Sequence, residues 1–317
     1  MNKLVFGIVL LVVLLVADVL MGGVTSVGQL LDFNDVQGWN ILVKLRIPRA
    51  FTAMLAGAGL GLAGFLMQSF FKNPLAGPDV LGVSAGGSLG AAISLLLVGA
   101  AGCSALVGAI VGSIAVLFLM LKIRAYVQSN NELLIFGILF SAFASAVVSV
   151  LQAMAQREDL QRLVIWTQGN FDGNNLSYLL PWFLVILGCS IVAIRHINQI
   201  EILSISDSYA LTLGINPLTE GYRLLTLSGL LVGITTAICG PISFIGIAMP
   251  QLIRYVFYKS PLRMQFLWCL VASAIFALFC DFISNTWRPL GFFMPINAAT
   301  ALLGAPIIAY LLRLRSV

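Results

Sequence analysis

The residues able to do chemistry are few and scattered. The 317-residue chain holds 12 Asp and Glu, 17 Lys and Arg, one histidine and five cysteines. It contains no G-x-x-x-x-G-K-[ST] loop, so no phosphate-cradling nucleotide site of that kind is expected. His196 stands alone and reads as a solvated edge residue. Cys103, Cys189, Cys239, Cys269 and Cys280 lie in or beside apolar runs and form no CxxC pair. They read as small packing residues rather than disulfides or metal ligands. With no nucleophile–base pair and no metal set, an enzyme reading finds no constellation, and no cofactor is expected. Asp18 and Asp281 sit near the ends of apolar runs and read as interface hydrogen-bond acceptors. No row of ionisable residues crosses a span, as a self-powered ion-coupled carrier would need.

The elements that must position these residues are membrane helices. Apolar residues make up 60% of the chain and charged ones 9%, against about 45–50% and about 25% in a globular domain. Such a chain cannot cover itself with a polar surface. Apolar runs long enough for spans of roughly 20 residues predict ten helices, near 4–21, 47–67, 79–98, 102–121, 133–154, 178–194, 223–240, 243–258, 265–283 and 296–312. The first run is longer than the apolar part of a signal peptide and lacks a clear A-x-A site, so it reads as helix one. The expectation is one all-α transmembrane domain over 1–317, with its longest cytosolic connection at about 195–222.

Lys and Arg distribute unevenly between the connections. Placing both termini in the cytosol puts Lys3, Lys72, Lys122, Arg124, Arg195, Arg223, Arg254, Lys259, Arg263, Arg313 and Arg315 inside. It leaves Lys44, Arg46, Arg49, Arg157, Arg162 and Arg288 outside, as the positive-inside bias requires. The formal net charge of +5 is therefore an orientation signal, with membrane lipid rather than nucleic acid as the neighbour. Glycines four apart, at Gly57 and Gly61, Gly82, Gly86 and Gly90, Gly108 and Gly112, and Gly229 and Gly233, predict close helix seams. Within 195–222, Ser206 or Asp207 is expected to cap a short helix that Gly214 ends. Such a helix suits docking onto a partner or lying on headgroups.

Four collinear segments resemble the FecCD-like permeases, the membrane subunits of ABC importers for iron-siderophore, heme and cobalamin. They are Arg46-Ile47-Pro48-Arg49 through Asn73-Pro74-Leu75-Ala76 to Leu81-Gly82-Val83; Trp166-Thr167-Gln168-Gly169; Ser206–Gly214 with Gly240–Gly246 and Pro250-Gln251-Leu252-Ile253-Arg254; and Met294-Pro295 with Leu303-Gly304-Ala305-Pro306. The chain departs from that pattern at Gln251, where the family usually has His, at Asn297 in place of a Gly, and at Arg288, a few residues later than the usual Arg.

The resemblance implies a homodimer of ten-helix, type II importer-like subunits in a bacterial cytoplasmic (inner) membrane. A cytosolic ABC ATPase dimer would supply the energy, and an extracytoplasmic binding protein would deliver a metal chelate. It assigns binding-protein docking to Arg46, Arg49 and Arg288, and a cytosolic gate to Asn73, Leu75, Asn130 and Asn131. ATPase coupling falls to Ser206, Asp207, Ala210, Leu213 and Gly214. The alternative is a secondary transporter or channel working alone, disfavoured by the scarcity of intramembrane charges.

Overall fold

Pro, Gly and short polar residues decide where each apolar run starts and stops as a helix. The computed structural model describes residues 2–21, 36–98, 104–127, 129–172, 176–286 and 294–315. Helix α1 spans Asn2–Met21. A short α2, Val36–Ile41, runs through a π-type turn at Leu42–Arg46 into α3, Ile47–Phe71, with Pro48 in its first turn. There the missing proline N–H costs nothing. After the Asn73 turn come a 3-10 turn at Pro78–Leu81, then α4, Val83–Ile93, and α5, Ala105–Tyr126. Helices α6, Asn130–Met154, and α7, Arg157–Thr167, precede α8, Leu176–Arg195. The chain continues through α9, Ile197–Ile205, α10, Asp207–Thr212, and α11, Pro217–Cys239. It closes with α12, Ile245–Val256, α13, Leu262–Thr286, and α14, Ile296–Arg315.

Each of the ten predicted runs is helical, but they are not equal. Seven described helices are long and apolar enough to cross a membrane, and Leu4–Leu20 and Val83–Leu97 are shorter apolar helices. The run at 243–258 contains only the 12 residues of α12, about 18 Å of helix at 1.5 Å per residue. That falls short of a hydrocarbon core of about 30 Å. Its run is cut by the irregular link Gly240–Phe244, where Phe244 takes a left-handed φ of 67°.

Helix α3 is the hub, packed against α11, α12 and α13, and its spanning window is 83% buried. Small residues make this possible. A Cβ on Gly64 would fall 1.8 Å from the Gly246 carbonyl of α12, so the two backbones touch. Gly57 and Gly61 meet Ser273 of α13, Gly86 and Gly90 meet Gly112 and Gly108 of α5, and Gly229 meets Leu117. The predicted seams are real contacts. Gly82 takes a φ of 71° where the chain turns into α4, and a Cβ there would fall 3.1 Å from the Gly137 carbonyl of α6, so it meets a different helix from Gly86 and Gly90.

Helix directions sort the polar residues to two ends. The close of α1, the start of α3 and the close of α13 meet at what is called here the Arg49 end. The Asn73 turn, the start of α6 and the segment holding α9 and α10 meet at the other, the Asn73 end.

Candidate functional site

At the Arg49 end the candidate docking arginines turn inward. Arg46 and Arg49 are each 7% exposed, which does not fit the expected pair of outward cations. Arg46 Nη1 donates to the Val19 and Leu20 carbonyls at 3.1 and 2.9 Å, neutralising the carbonyl end of α1. Arg49 grips Asp281 of α13 in a fork, Nε to Oδ2 at 2.9 Å and Nη2 to Oδ1 at 2.6 Å, and its Nη1 pairs with Asp172 after α7. Asn285 donates to Asp281 at 3.2 Å, and Asp18 of α1 is buried against the same carboxylate. Fork geometry between Arg and carboxylate is both strong and directional. These groups therefore brace α1, α3, α13 and the post-α7 turn against one another. Arg288 lies outside the described residues.

At the Asn73 end three of the candidate gate residues and one coupling residue, Asp207, share a crevice. Asn73 Oδ1 accepts from the Leu75 amide at 2.9 Å, an Asx turn that fixes the elbow and leaves Leu75 45% exposed. Asn130 donates to the Phe70 carbonyl at 2.9 Å, tying the start of α6 to the end of α3. Lys72 pairs with Asp207 at 2.7 Å and so ties α3 to α10. Asn73, Asn130, Asn131 and Asp207 line one crevice of about 560 Å³.

Gln251, unremarkable in sequence beyond its departure from the family pattern, is buried and donates from Nε2 to the Pro74 carbonyl. It holds the elbow against α12. Proline offers no amide, so its carbonyl is the handle available there. His196, expected as a solvated residue, instead takes a hydrogen bond from Arg223 at 2.7 Å, and Arg223 also pairs with Glu220. This ties the α8–α9 junction to the first turns of α11.

The 206–214 segment ends in a Schellman motif. The Ile215 amide reaches the Ala210 carbonyl at 2.9 Å and the Gly214 amide reaches Leu211 at 3.0 Å, with Gly214 at a φ of 76°. Gly214 thus ends the helix as expected. Ser206 occupies the capping position without a side-chain cap bond. Ala210 is fully buried, so it cannot itself meet a partner. Tyr209, Leu211, Leu213 and Leu218 are 49%, 62%, 51% and 51% exposed and form the apolar rim that could.

Next to Asp172, the α7 turn locks onto the α11–α12 link. The Asn170 amide donates to Cys239 at 2.8 Å, and the Asn297 amide of α14 donates to Gln168 at 3.2 Å. Asn297 Oδ1 accepts from the Ser243 amide and hydroxyl at 3.1 and 2.5 Å, which gives this departure from a family Gly a definite task. Among the described residues, no group of three His, Cys, Asp or Glu is placed to hold a metal ion, and the four described cysteines are free thiols.

Known proteins repeat this architecture from end to end. The chain is similar to the hemin transport system permease protein HmuU of Yersinia pestis, 30% identical over 97% of this chain and 94% of that one. The molybdate import system permease protein MolB of Haemophilus influenzae is also 30% identical, over 98% and 95%. So is the vitamin B12 import system permease protein BtuC of Salmonella paratyphi A, over 89% and 86%. A solved structure described as an inward-facing metal-chelate type ABC transporter superposes with a TM-score of 0.87 at 27% identity, covering 98% of this chain and 99% of that one. PsaBC from Streptococcus pneumoniae, at TM-score 0.60 and 17% identity, shares the fold. The profile of the FecCD transport family matches residues 5–314, and the chain belongs to that family.

Proposed function

We propose that this chain is the membrane-spanning permease of an ABC importer that moves a metal chelate across a bacterial cytoplasmic membrane. The single observation that carries the reading is the end-to-end superposition on an inward-facing metal-chelate type transporter. The contacts at the Asn73 end support it, since they give a force applied to α10 a route to the elbow. A partner pushing on the exposed rim of α10 moves Asp207, which pulls Lys72 at the close of α3 and the adjoining Asn73 turn. ATP hydrolysis belongs to a separate cytosolic subunit. Two copies of this chain would flank the solute path, with a binding protein on the opposite side and the Asn73 end facing the cytosol. Both termini then lie in the cytosol.

Relatives named for hemin, molybdate and vitamin B12 stand at equal identity. The solute class therefore rests on the structural likeness. The coupling assignment is tested by Leu211→Asp and Leu213→Asp in the assembled transporter. An Asp at an apolar contact must be desolvated there, so ATP hydrolysis should continue while uptake falls. Full uptake in both variants, with the ATPase still bound, contradicts the assignment. Ala210→Asp is unsuitable, because a charge at that fully buried site damages the segment itself.

A further inference from the structure

Asp18 lies in the last turn of α1, 3% exposed, and the brace at the Arg49 end does not need its charge. That brace holds two guanidinium groups, Arg46 and Arg49, and two carboxylates, Asp172 and Asp281. It is balanced before Asp18 is counted. A third carboxylate there would leave a net negative charge held out of water, which is unfavourable. Its place in the helix makes this worse, because the end of α1 carries the partial negative charge of its last carbonyls. Arg46 Nη1 is directed at those carbonyls, on Val19 and Leu20.

The two neighbouring aspartates are served differently. Asp281 is fully buried and ringed by donors. Arg49 Nε lies 3.0 and 2.9 Å from its two oxygens, Arg49 Nη2 lies 2.6 Å from Oδ1, and Asn285 lies 3.2 Å from Oδ2. Such a fork holds a carboxylate as the anion. Asp18 comes within hydrogen-bonding reach of the Asp281 and Asn285 side chains. Yet among the described residues no partner reaches its buried Oδ1. Two carboxylates in contact repel unless one of them carries a proton, which turns the repulsion into a hydrogen bond. With Asp281 committed to Arg49, the proton belongs on Asp18. The other charged or titratable groups around the cluster are Arg46 before α3, Asp172 after α7 and the Cys280 thiol of α13. Lys44, on the turn that carries Arg46, is exposed.

We propose that Asp18 and Asp281 hold one proton between them, with Asp18 as a neutral carboxylic acid that donates to Asp281, and that this proton latches α1 onto α13. Removing it places two like charges in contact, so the latch is alkali-sensitive and loosens the end of α1 first. An aspartate in the unfolded chain is ionised at neutral pH. Folding therefore takes up a proton at Asp18, and stability falls as the pH rises. The inference does not depend on the transport reading and survives or fails separately from it.

The test compares the purified full chain with Asp18→Asn in a detergent free of ester groups. Asparagine keeps the shape and offers an N–H to Asp281, so at neutral pH its midpoint should lie within about 2 °C of wild type. Toward alkaline pH the wild-type midpoint should fall faster than that of Asp18→Asn, by about 2–4 °C per pH unit. The infrared difference spectrum, wild type minus Asp18→Asn at neutral pH, reads the proton directly. It should show the carbonyl band of a protonated carboxyl, replaced by carboxylate bands at alkaline pH. Carboxylate bands already present at neutral pH overturn the proposal. So do parallel pH profiles for the two proteins, or an Asp18→Asn midpoint as low as that of Arg49→Gln.

Discussion

Arg49 and Asp281 show how far single residues could be read in advance. Both stood out as charges at the ends of apolar runs, yet 232 positions separate them, and nothing in local pattern says that they meet. Read alone, Arg49 looked like a surface cation; in the fold it is the centre of a buried brace. Removing one partner of a buried, hydrogen-bonded ion pair typically costs about 3–5 kcal/mol. Arg49→Gln should therefore lower the unfolding midpoint clearly, and Asp281→Asn should do the same. An Arg49→Gln protein as stable as wild type, but weak in recruiting a binding protein, would restore the surface role. Gln251 makes the opposite point, since its departure from the family pattern was visible while its job was not. Gln251→Leu leaves the Pro74 carbonyl without its donor, at about 1–3 kcal/mol. Gln251→His, which keeps a ring N–H able to reach that carbonyl, should lose less. Hydrogen exchange at the Leu75 and Ala76 amides reports the loosening, and unchanged protection in Gln251→Leu would show that the elbow holds itself.

Elements were more legible than contacts. Ten helical runs follow directly from apolar length, and the glycine rows announced which helices would approach closely. Length alone could not show that 243–258 begins with an irregular link. The run looks continuous in hydropathy, and the break depends on Gly240 and Phe244 adopting left-handed backbone against the α7 turn. Spacing likewise could not show that Gly82 serves two needs at once, a left-handed φ and a close approach to Gly137 of α6. Two substitutions contrast a tight glycine with an open one. Gly64→Ala forces a methyl onto the Gly246 carbonyl, and relieving that overlap should cost about 1–3 kcal/mol. Gly188→Ala in α8, where a Cβ meets nothing within 4 Å, should be neutral or stabilise by up to about 1 kcal/mol. Thermal melts of both proteins in one detergent check the contrast, and equal midpoints would contradict the packing of α3 on α12.

For the molecule as a whole, low charge content and helix count were enough to indicate a multi-span membrane protein, and family resemblance supplied the rest. What physical reading adds is a division of labour between the two ends. The Arg49 end is locked by the buried Arg49–Asp281 pair between α3 and α13 and by the Arg46 bonds to the last carbonyls of α1. The Asn73 end is joined by one partly exposed ion pair, Lys72 with Asp207, and by single hydrogen bonds, Asn130 with Phe70 and the buried Gln251 with Pro74. A permease driven by an ATPase needs that asymmetry, with a firm frame at one end and a movable elbow at the other. Its central requirement is that transport energy arrives from another chain. The most direct measurement is chelate uptake into proteoliposomes holding this chain, its ATPase subunit and its binding protein, with ATP supplied on the ATPase side. The account predicts uptake that needs ATP and all three components, persists without any ion gradient, and is lost when the ATPase is catalytically inactive. Uptake by this chain alone, driven by a proton or sodium gradient and indifferent to ATP, would contradict it.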